Sequence, residues 1–363
     1  CSNDKEKGLI VMKVLIVAGG TGGHVYPALS IADELHKNGN SISWIGKKGS
    51  LEERLCKTRG FDFFSIKGSG FLGKGLIAKI NSIYLLLVSA IKSIFYLLSI
   101  RPDVIISTGG YLSLAPSFIG SFVCPLIIHE QNSVAGISNR ILHTRSKMSF
   151  EAFPDTFQTN KNKVSWVGNP VRKEIIISAE KSLSNSSHFT ILVLGGSQGS
   201  QQINDILCKT FENKNPPSGW RIIHQVGNLE TDRLSSVYSI AGINFEIRKY
   251  IEDMGDAYGQ ADVVISRSGA MTVTEICAVK KPCILLPLPW SADDHQYKNA
   301  LFLKNKGAAE IIKSEINNSE HLFELLIDLE NDHNKRESMA DASGKVFPKS
   351  SSEEIYRIID ESL

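Results

Sequence analysis

The stretch that decides the fold is Val14-Leu15-Ile16-Val17-Ala18-Gly19-Gly20-Thr21-Gly22-Gly23-His24. Strand-forming residues run into four glycines, and residues 27–35 then place Leu29, Ala32 and Leu35 on one helical stripe. This pattern predicts a strand, a glycine loop and the start of a helix, where backbone N–H groups can bind an anion. A tight strand-to-helix turn, as in any α/β domain, is the alternative interpretation of a single such loop.

The pattern returns in the second half of the chain as Ile191-Leu192-Val193-Leu194-Gly195-Gly196-Ser197-Gln198-Gly199-Ser200, again followed by a helical period. Between the two copies, residues 178–188 are polar and serine-rich, as in a linker. We therefore predict an α/β fold of two doubly wound, Rossmann-like domains that face each other across a cleft. The repetition also favours phosphate binding over a plain turn.

Length and composition agree with two domains. A chain of 363 residues is longer than a domain with a single hydrophobic core usually is. Its content of 42% hydrophobic and 21% charged residues is typical of a soluble globular protein. A net charge of +2 gives no electrostatic case for nucleic acid. The six cysteines are scattered without metal-ligand spacing, so we predict reduced thiols and no metal site. We expect Met12, just before the first strand, to be the functional start.

Several nucleotide-binding classes are disfavoured by their missing motifs. Val25 stands where a dinucleotide-binding loop has its third glycine, and Lys47 and Lys48 follow the second strand where an acidic residue would hold a ribose. The sequence contains no G-x-x-x-x-G-K-[ST] loop for phosphoryl transfer and no D-x-D pair for a diphosphate-bound metal. The sequence therefore predicts no cofactor requirement.

Polar residues stand at the ends of several predicted strands, where open α/β sheets bind ligands. In the first half these are His24 and the run His129-Glu130-Gln131-Asn132. In the second half, Ser197 can donate a hydroxyl to a diphosphate, and Glu275, near a helix start, can accept both hydroxyls of a ribose. The side-chain amides of Gln296 and Asn132 can form hydrogen bonds with sugar hydroxyls. Each residue alone could be a cap or a turn, but together they favour a nucleotide-sugar donor site.

The segment from residue 68 to residue 100 allows two interpretations. A glycine-rich basic loop at 68–75 leads into apolar residues that Lys79 and Lys92 interrupt, so the segment is poorly suited to spanning a bilayer. One interpretation is a helix in the domain core, which would account for residues 85–98. The other is a patch at an anionic membrane surface, with apolar side chains in the headgroup region. The patch residues are Leu76, Ile77, Ile80 and Lys74.

In order and spacing, the motifs resemble those of the MurG family, the glycosyltransferases that complete the lipid-linked disaccharide precursor of bacterial peptidoglycan. The resemblance runs from Met12 to the end of the chain. The matching motifs are Gly19-Gly20-Thr21-Gly22-Gly23-His24 with Pro27-Ala28, Gly109-Gly110-Tyr111 with Ser113, His129-Glu130-Gln131-Asn132, Gly168-Asn169-Pro170-Val171-Arg172, Gly195-Gly196-Ser197-Gln198-Gly199, Arg267-Ser268-Gly269-Ala270 with Thr272 and Glu275, and His295-Gln296 with Asn299-Ala300. One departure is Leu114, which stands where the family commonly has glycine.

The resemblance implies a GT-B architecture. An acceptor- and membrane-facing domain would occupy residues 12–172, a UDP-sugar domain residues 173–345, and a last helix within 346–363 would cross back onto the first domain. The implied reaction is inverting transfer of N-acetylglucosamine from UDP-N-acetylglucosamine to the 4-hydroxyl of undecaprenyl-diphosphate-linked N-acetylmuramoyl-pentapeptide. The enzyme would be peripheral, at the cytoplasmic face of the inner membrane, with other cell-wall synthesis proteins as candidate partners.

The resemblance also assigns site residues. The implied donor contacts are Thr21, Gly22, Gly23, Asn132, Arg172, Ser197, Ile251, Ala270, Met271, Thr272, Val273, Thr274, Glu275 and Gln296. The uracil would meet the backbone of Ile251, and the acceptor loop would be Gly109, Gly110 and Tyr111. His24 is the first candidate for the base that deprotonates the acceptor, because a neutral imidazole suits that role, and Glu130 is the second.

Three alternatives stay open at this point. The chain could be a GT-B transferase that uses another lipid acceptor, a UDP-sugar epimerase, or a nucleotide-sugar-binding protein without turnover.

Overall fold

The computed structural model describes residues 11–67, 76–182, 188–196, 198–313 and 318–363, and of residues 76–86 only the backbone. The described chain divides into two compact units. Unit 1 lies within Cys1–Gln131, Ala135–Pro170 and Ser350–Leu363, and unit 2 within Asn132–Val134 and Val171–Lys349. Each unit is a doubly wound α/β structure built on a parallel sheet, which confirms the predicted fold class.

Unit 1 is organised around its parallel sheet. The strands are β1 (Lys13–Val17), β2 (Ser41–Lys47), β3 (Asp62–Ile66), β4 (Val104–Ser107), β5 (Leu126–Glu130), β6 (Met148–Glu151) and β7 (Val164–Trp166). They pair in the order β3-β2-β1-β4-β5-β6-β7. The helices between them are α1 (Gly22–Lys37), α2 (Leu51–Arg59), α3 (Leu76–Ile100), α4 (Leu114–Gly120) and α5 (Ile137–His143), and Lys161–Lys163 form a turn of 3-10 helix.

The central strands of unit 1 are covered on both faces. In β1, Val14 to Val17 are fully buried, and β4 beside it is buried along its whole length. Parallel strands with helices on both faces need apolar residues on both sides, which is why these strands are continuous rather than alternating apolar runs.

Unit 2 repeats this architecture. Its strands are β8 (Phe189–Leu194), β9 (Trp220–Gln225), β10 (Asn244–Arg248), β11 (Val263–Ser266), β12 (Cys283–Leu285) and β13 (Ala309–Ile311). They pair in parallel in the order β10-β9-β8-β11-β12-β13. The helices are α6 (Lys173–Lys181), α7 (Gln201–Asn213), α8 (Asp232–Ile240), α9 (Met254–Gln260), α10 (Ala270–Ala278), α11 (His295–Asn305), α12 (Ser319–Asn331) and α13 (His333–Ser343), and Ala292–Asp294 form a 3-10 turn.

The last helix, α14 (Ser351–Ser362), belongs to unit 1 and packs against α1. Its Ile355 and Ile359 are fully buried in the same apolar cluster as Ala28 and Leu35 of α1. The prediction that the last helix crosses back onto the first domain is therefore confirmed.

Helix α3 is not buried on all sides, as a core helix over residues 85–98 would be. From residue 87 onward it buries Ser89, Ser93 and Leu97, the last within an apolar core cluster, and exposes most of its other apolar side chains, up to 66% at Leu98. The small serines allow close packing, and their hydroxyls donate to backbone oxygens, at 2.5 Å to Lys67 and 2.7 Å to Ser89. The exposed apolar side chains are Leu87, Ile91, Ile94, Phe95 and Leu98, and we call this set the α3 apolar face.

The membrane-patch residues predicted from the sequence fall mostly outside this description. Lys74 lies outside the described residues, and so do the side chains of Leu76, Ile77 and Ile80 at the start of α3. Among the described helices, none is long and apolar enough to cross a membrane.

Candidate active site

Both sheets reverse their strand order at one point, and the glycine loops lie at these points. In unit 1 the order reverses between β1 and β4, and in unit 2 between β8 and β11. Open parallel sheets bind ligands outside the carboxyl ends of the strands at such a reversal. The connections there are residues 18–21 and 108–113 in unit 1, and residues 195–200 and 267–269 in unit 2, and α1 and α10 begin directly after two of them. The topology therefore marks the predicted site segments in each unit.

The first glycine loop has no room for side chains where it contacts its neighbours. A Cβ on Gly19 would lie 2.8 Å from an oxygen of the fully buried Glu52 carboxylate. A Cβ on Gly110, whose φ is +90°, would lie 3.1 Å from the Gly19 carbonyl oxygen. This packing brings the loops after β1 and β4 together, with Thr21 as the residue before α1 and Gly22 as its first residue.

His24 is partly buried and is held through one ring nitrogen. Its Nδ1 lies 2.9 Å from the backbone oxygen of Thr108 and 2.9 Å from Oε1 of Gln131. A carbonyl oxygen can only accept, so Nδ1 carries the proton and Nε2 of the neutral ring is the basic nitrogen. The other edge of the ring faces Gly110, since a Cβ there would lie 3.8 Å from Nε2.

Glu130, the second candidate base, is 2% exposed and is engaged in organising its own loop. Its Oε2 accepts from the backbone N–H of Gly136 at 3.0 Å and from the amide of Asn139 at 2.8 Å. The Asn139 amide also donates to the His129 backbone oxygen and packs against Gly109, where φ is +85°. Tyr111, in the loop that follows β4, is 36% exposed and therefore accessible to a ligand.

The second glycine loop is fixed by contact with a neighbouring turn. A Cβ on Gly199 would lie 1.9 Å from the Val226 oxygen, and a Cβ on Gly227 would lie 2.2 Å from the Gln198 backbone. Both glycines also have positive φ, +81° and +65°. The loop leads into α7, where the Ser200 hydroxyl oxygen caps the helix by accepting a hydrogen bond from the Ile203 N–H. Ser197 itself lies outside the described residues.

Gln225 ties the predicted uracil segment to this loop. Its Oε1 accepts from the backbone N–H of Ile251 at 2.9 Å, and its Nε2 donates to the Gly196 oxygen at 3.2 Å. Ile251 is fully buried, so the segment is presented through its backbone. The sequence prediction did not include Gln225, because a single amide at the end of a strand belongs to no periodic pattern or motif.

Glu275 on α10 sits between a cation and a phenol. Its Oε1 lies 3.6 Å from Nη2 of Arg172, and its Oε2 accepts from the Tyr258 hydroxyl at 3.3 Å. Burial raises the pKa of the Glu275 carboxyl, while the Arg172 charge and the two hydrogen bonds oppose that rise. The carboxylate is thus oriented and largely desolvated, as a group that accepts ribose hydroxyls needs to be.

The helical period divides the α10 residues of the predicted donor site. Ala270, Val273 and Thr274 are buried, and the Thr274 hydroxyl donates to the Ala270 oxygen at 2.8 Å. Met271, Thr272 and Glu275 are the partly exposed ones. Their side chains are therefore the ones that a ligand at the start of α10 can reach.

Gln296, in the first turn of α11, has a fixed amide. Its Oε1 accepts from the Leu288 N–H at 3.0 Å, which leaves Nε2 as the group it can offer to a ligand. The loop before it contains Asp293 and Asp294, both with positive φ, of 51° and 56°. Non-glycine residues rarely adopt this conformation, and such residues cluster at functional sites.

Asn299 is a second amide that the sequence prediction left out. It is fully buried, its Oδ1 accepts from the Ser133 N–H at 2.9 Å, and its Nδ2 donates to the Ser268 oxygen at 3.1 Å. The same Nδ2 lies 3.3 Å from Oδ1 of Asn132. Asn299 therefore positions Asn132, a predicted donor residue. The available signal was its place three residues after Gln296 in the family motif.

Models of known protein families match both halves of the chain. Residues 14–151 match a family model described as the glycosyltransferase family 28 N-terminal domain, and residues 190–356 match its C-terminal domain. The chain is 36% identical over 352 residues to the UDP-N-acetylglucosamine–N-acetylmuramyl-(pentapeptide) pyrophosphoryl-undecaprenol N-acetylglucosamine transferase of Thiobacillus denitrificans, covering 92% of this chain and 96% of that protein. The protein of the same name from Nitrosospira multiformis is 38% identical over 320 residues, covering 86% and 89%.

A solved structure supports the same assignment. The crystal structure of Acinetobacter baumannii MurG superposes with a TM-score of 0.78 at 29% identity, covering 96% of this chain and 99% of that one. The two domain matches and the near-complete relatives confirm the resemblance that the motifs indicated. The chain belongs to glycosyltransferase family 28 and, within it, to the MurG family.

Proposed function

We propose that this chain transfers N-acetylglucosamine from UDP-N-acetylglucosamine to the 4-hydroxyl of undecaprenyl-diphosphate-linked N-acetylmuramoyl-pentapeptide, with inversion at the anomeric carbon. The observation that carries the proposal is the anchoring of His24, whose Nδ1 lies 2.9 Å from the Thr108 oxygen and 2.9 Å from Oε1 of Gln131, and we assign the role of base to its Nε2. Membership in the MurG family supplies the identity of both substrates.

Unit 2 would hold the donor. Backbone N–H groups of the Gly195–Gly199 loop and the start of α7 suit the diphosphate, with the Ser197 hydroxyl as a further donor. The Glu275 carboxylate would accept the ribose hydroxyls, and the backbone carbonyl of Ile251 suits the N3–H of uracil. The family pattern adds Thr21, Gly22, Gly23, Asn132, Arg172 and Gln296 as donor contacts.

The proposed transfer reaction needs one base for the acceptor hydroxyl and stabilisation of the UDP leaving group. The acceptor O4 forms a bond to the anomeric carbon as the bond from that carbon to the diphosphate oxygen breaks. The hydroxyl proton passes to Nε2 of His24. The negative charge that develops on UDP is stabilised by fixed N–H dipoles at the glycine loop. The Gly136 and Asn139 contacts of Glu130 favour a positioning role for that carboxylate over a role as base.

Incubation of the protein with UDP-N-acetylglucosamine and the muropeptide lipid tests the proposal. The expected product is the lipid-linked disaccharide, together with UDP. Transfer to a different lipid acceptor, or an epimerised free sugar, would replace this function with another enzymatic one. Binding of the donor with no product under any of these conditions would indicate a nucleotide-sugar-binding protein.

Replacing Glu275 by glutamine should weaken recognition of the ribose. The amide lacks the second acceptor oxygen and the charge, so we expect KM for the donor to rise by about tenfold or more with a smaller change in kcat. Inhibition by UDP and by 2′-deoxy-UDP checks the cause, because the variant should no longer distinguish the two nucleotides. Tyr258→Phe keeps the carboxylate and removes only its 3.3 Å hydrogen bond, so it should keep most of that discrimination. Equal discrimination in wild type and E275Q would move the ribose elsewhere.

We further propose that the α3 apolar face docks unit 1 on an anionic membrane surface, where the lipid acceptor resides. Two further apolar side chains of unit 1 are exposed just beyond α4, Phe122 at 64% and Val123 at 69%. The guanidinium of Arg145 lies 3.8 Å from the centroid of the Phe122 ring and can meet lipid phosphate. We place this surface at the cytoplasmic face of the cell membrane, because nucleotide sugars are cytoplasmic metabolites.

A charge on the α3 apolar face should weaken membrane binding. Phe95→Glu and Leu98→Glu each remove apolar burial and add repulsion from anionic headgroups, so we expect about tenfold or greater loss of partitioning to phosphatidylglycerol vesicles. Sedimentation with vesicles measures this, and UDP binding should stay unchanged. Ile240→Glu is the matched control, since Ile240 is an 86% exposed apolar residue of unit 2. Equal losses in all three variants would remove the α3 apolar face from docking.

A further inference from the structure

We propose that Gln131 and His129 are positioning residues that hold His24 in one tautomer, with the proton on Nδ1 and the basic lone pair on Nε2. The inference rests on the proposed role of His24 as the base and extends it to two side chains in the interior of unit 1. Gln131 is 1% exposed and His129 is fully buried.

The first end of this chain of hydrogen bonds is the Thr108 backbone oxygen, 2.9 Å from Nδ1 of His24. Because that oxygen only accepts, Nδ1 is the protonated nitrogen. The Thr108 hydroxyl in turn donates to the His24 backbone oxygen at 2.9 Å. Side chain and backbone of His24 are thus both tied to the residue that follows β4.

The second end is the Gly168 backbone oxygen, 2.9 Å from Nε2 of His129. The same argument puts the proton of His129 on Nε2 and leaves its Nδ1 as an acceptor. The two histidines therefore carry their protons on opposite ring nitrogens, as set by two carbonyl groups 60 residues apart in the sequence.

Gln131 joins the two ends, and both impose the same orientation on its amide. Its Nε2 lies 3.0 Å from Nδ1 of His129 and 2.9 Å from the His129 backbone oxygen, which are both acceptors. Its Oε1 lies 2.9 Å from Nδ1 of His24, which is a donor. A flipped amide would place oxygen against two acceptors and N–H against a donor, so the flip is strongly disfavoured.

The arrangement matters because a neutral imidazole in water prefers the proton on Nε2, which would leave no base at the reactive edge of His24. The orientation of Gln131 depends on His129 staying neutral, since a protonated His129 would direct an N–H at the amide nitrogen. Burial lowers the pKa of His129 to about 4, outweighing the Gly168 hydrogen bond and the charge of Glu130, which both raise it. His129 is therefore neutral near pH 7.

The ¹⁵N chemical shifts of the histidine rings test the proposal on the wild-type protein. The chain contains nine histidines, so spectra of His24→Asn and His129→Asn identify the two signals by loss. At pH 7.5 we expect the His24 signal to show a protonated Nδ1 and the His129 signal a protonated Nε2. A proton on Nε2 of His24, or on Nδ1 of His129, overturns the proposal.

Variants of Gln131 add a kinetic readout. Gln131→Met leaves Thr108 alone to hold the tautomer, so kcat should fall about tenfold with the donor KM unchanged. Gln131→Glu places a carboxylate beside Nδ1–H and stabilises the imidazolium of His24. The acidic limb of the profile of kcat/KM against pH should therefore shift by about one unit to higher pH. Asn40→Ala, which removes a buried amide elsewhere in unit 1, controls for lost stability and should leave that limb in place. An unmoved limb in Gln131→Glu contradicts the proposal.

The two levels of inference fail separately. If His24→Ala retains full activity while the wild-type tautomers are as expected, the role of His24 as base is wrong and the positioning by Gln131 stands. If His24→Ala is inactive but the tautomers differ from those expected, the base is right and the positioning is wrong.

Discussion

Replacing His24 by alanine is expected to lower turnover by about a hundredfold or more while UDP binding stays nearly intact. The imidazole is the group that removes the acceptor proton in the proposed reaction, and losing a positioned general base typically has an effect of this size. His24 belongs to unit 1, whereas the groups assigned to the diphosphate, the ribose and the uracil belong to unit 2. Steady-state kinetics with both substrates and a separate UDP-binding measurement check the two halves of this expectation.

His24→Asn separates the base from the anchor. An asparagine amide can keep the hydrogen bonds that Nδ1 now makes to Thr108 and Gln131, but it has no counterpart of the Nε2 lone pair. We therefore expect it to be as slow as the alanine variant. His36 lies on the same helix and contacts the Phe61 ring in a T-shaped arrangement. His36→Ala therefore controls for general effects on α1 and should remain active. Near-wild-type turnover in His24→Asn would make His24 a structural residue.

Replacing Gly199 by alanine is expected to disable the donor site. The new Cβ would meet the Val226 oxygen at 1.9 Å, and the residue would have to hold a φ of +81°. Two backbones in contact cannot yield as a flexible side chain can, so the loop and the first turn of α7 must move. We expect the donor KM to rise about a hundredfold or more, since misplaced N–H groups no longer meet the diphosphate. Calorimetry with UDP measures the loss directly.

Gly242→Ala is the matched control for this change. Gly242 has a similar φ of +68°, but within the described residues no atom lies within 4 Å of its ideal Cβ. It should therefore show only the conformational cost of about 1–2 kcal/mol in the free energy of unfolding and no change in donor KM. If both variants behaved alike, the contact with Val226 would be irrelevant to the site.

The repeated pattern of an apolar run, a glycine loop and a helix was enough to predict the two parallel sheets. Each step of that pattern is local, since strand and helix periods extend over only a few residues. The same local reasoning was wrong for residues 85–98, where apolar content suggested a core helix. Helix α3 packs on the core through only one face, with Ser89, Ser93 and Leu97 buried, and this leaves Leu87, Ile91 and Leu98 on the surface.

For the site, the sequence supplied the reactive groups but not the amides that orient them. His24, Glu275 and Gln296 were predicted because each follows a glycine loop or matches a family motif. Gln225 and Asn299 were missed as site residues, and Gln131 was seen only as one of four polar residues at the carboxyl end of β5. Amides occur throughout a chain, and nothing in their spacing shows which of them will meet a particular partner.

The sequence by itself determined the fold class, the family and the chemical groups available, because these depend on local periodicity and on motifs in fixed order. Only the tertiary structure decided how those groups are held. Gln131 meets His24 across 107 residues and Asn299 meets Ser133 across 166 residues. In unit 1, β1, β4 and β5 lie side by side, and their carboxyl ends therefore bring His24, Thr108 and Gln131 together. The atom on which His24 carries its proton follows from that adjacency.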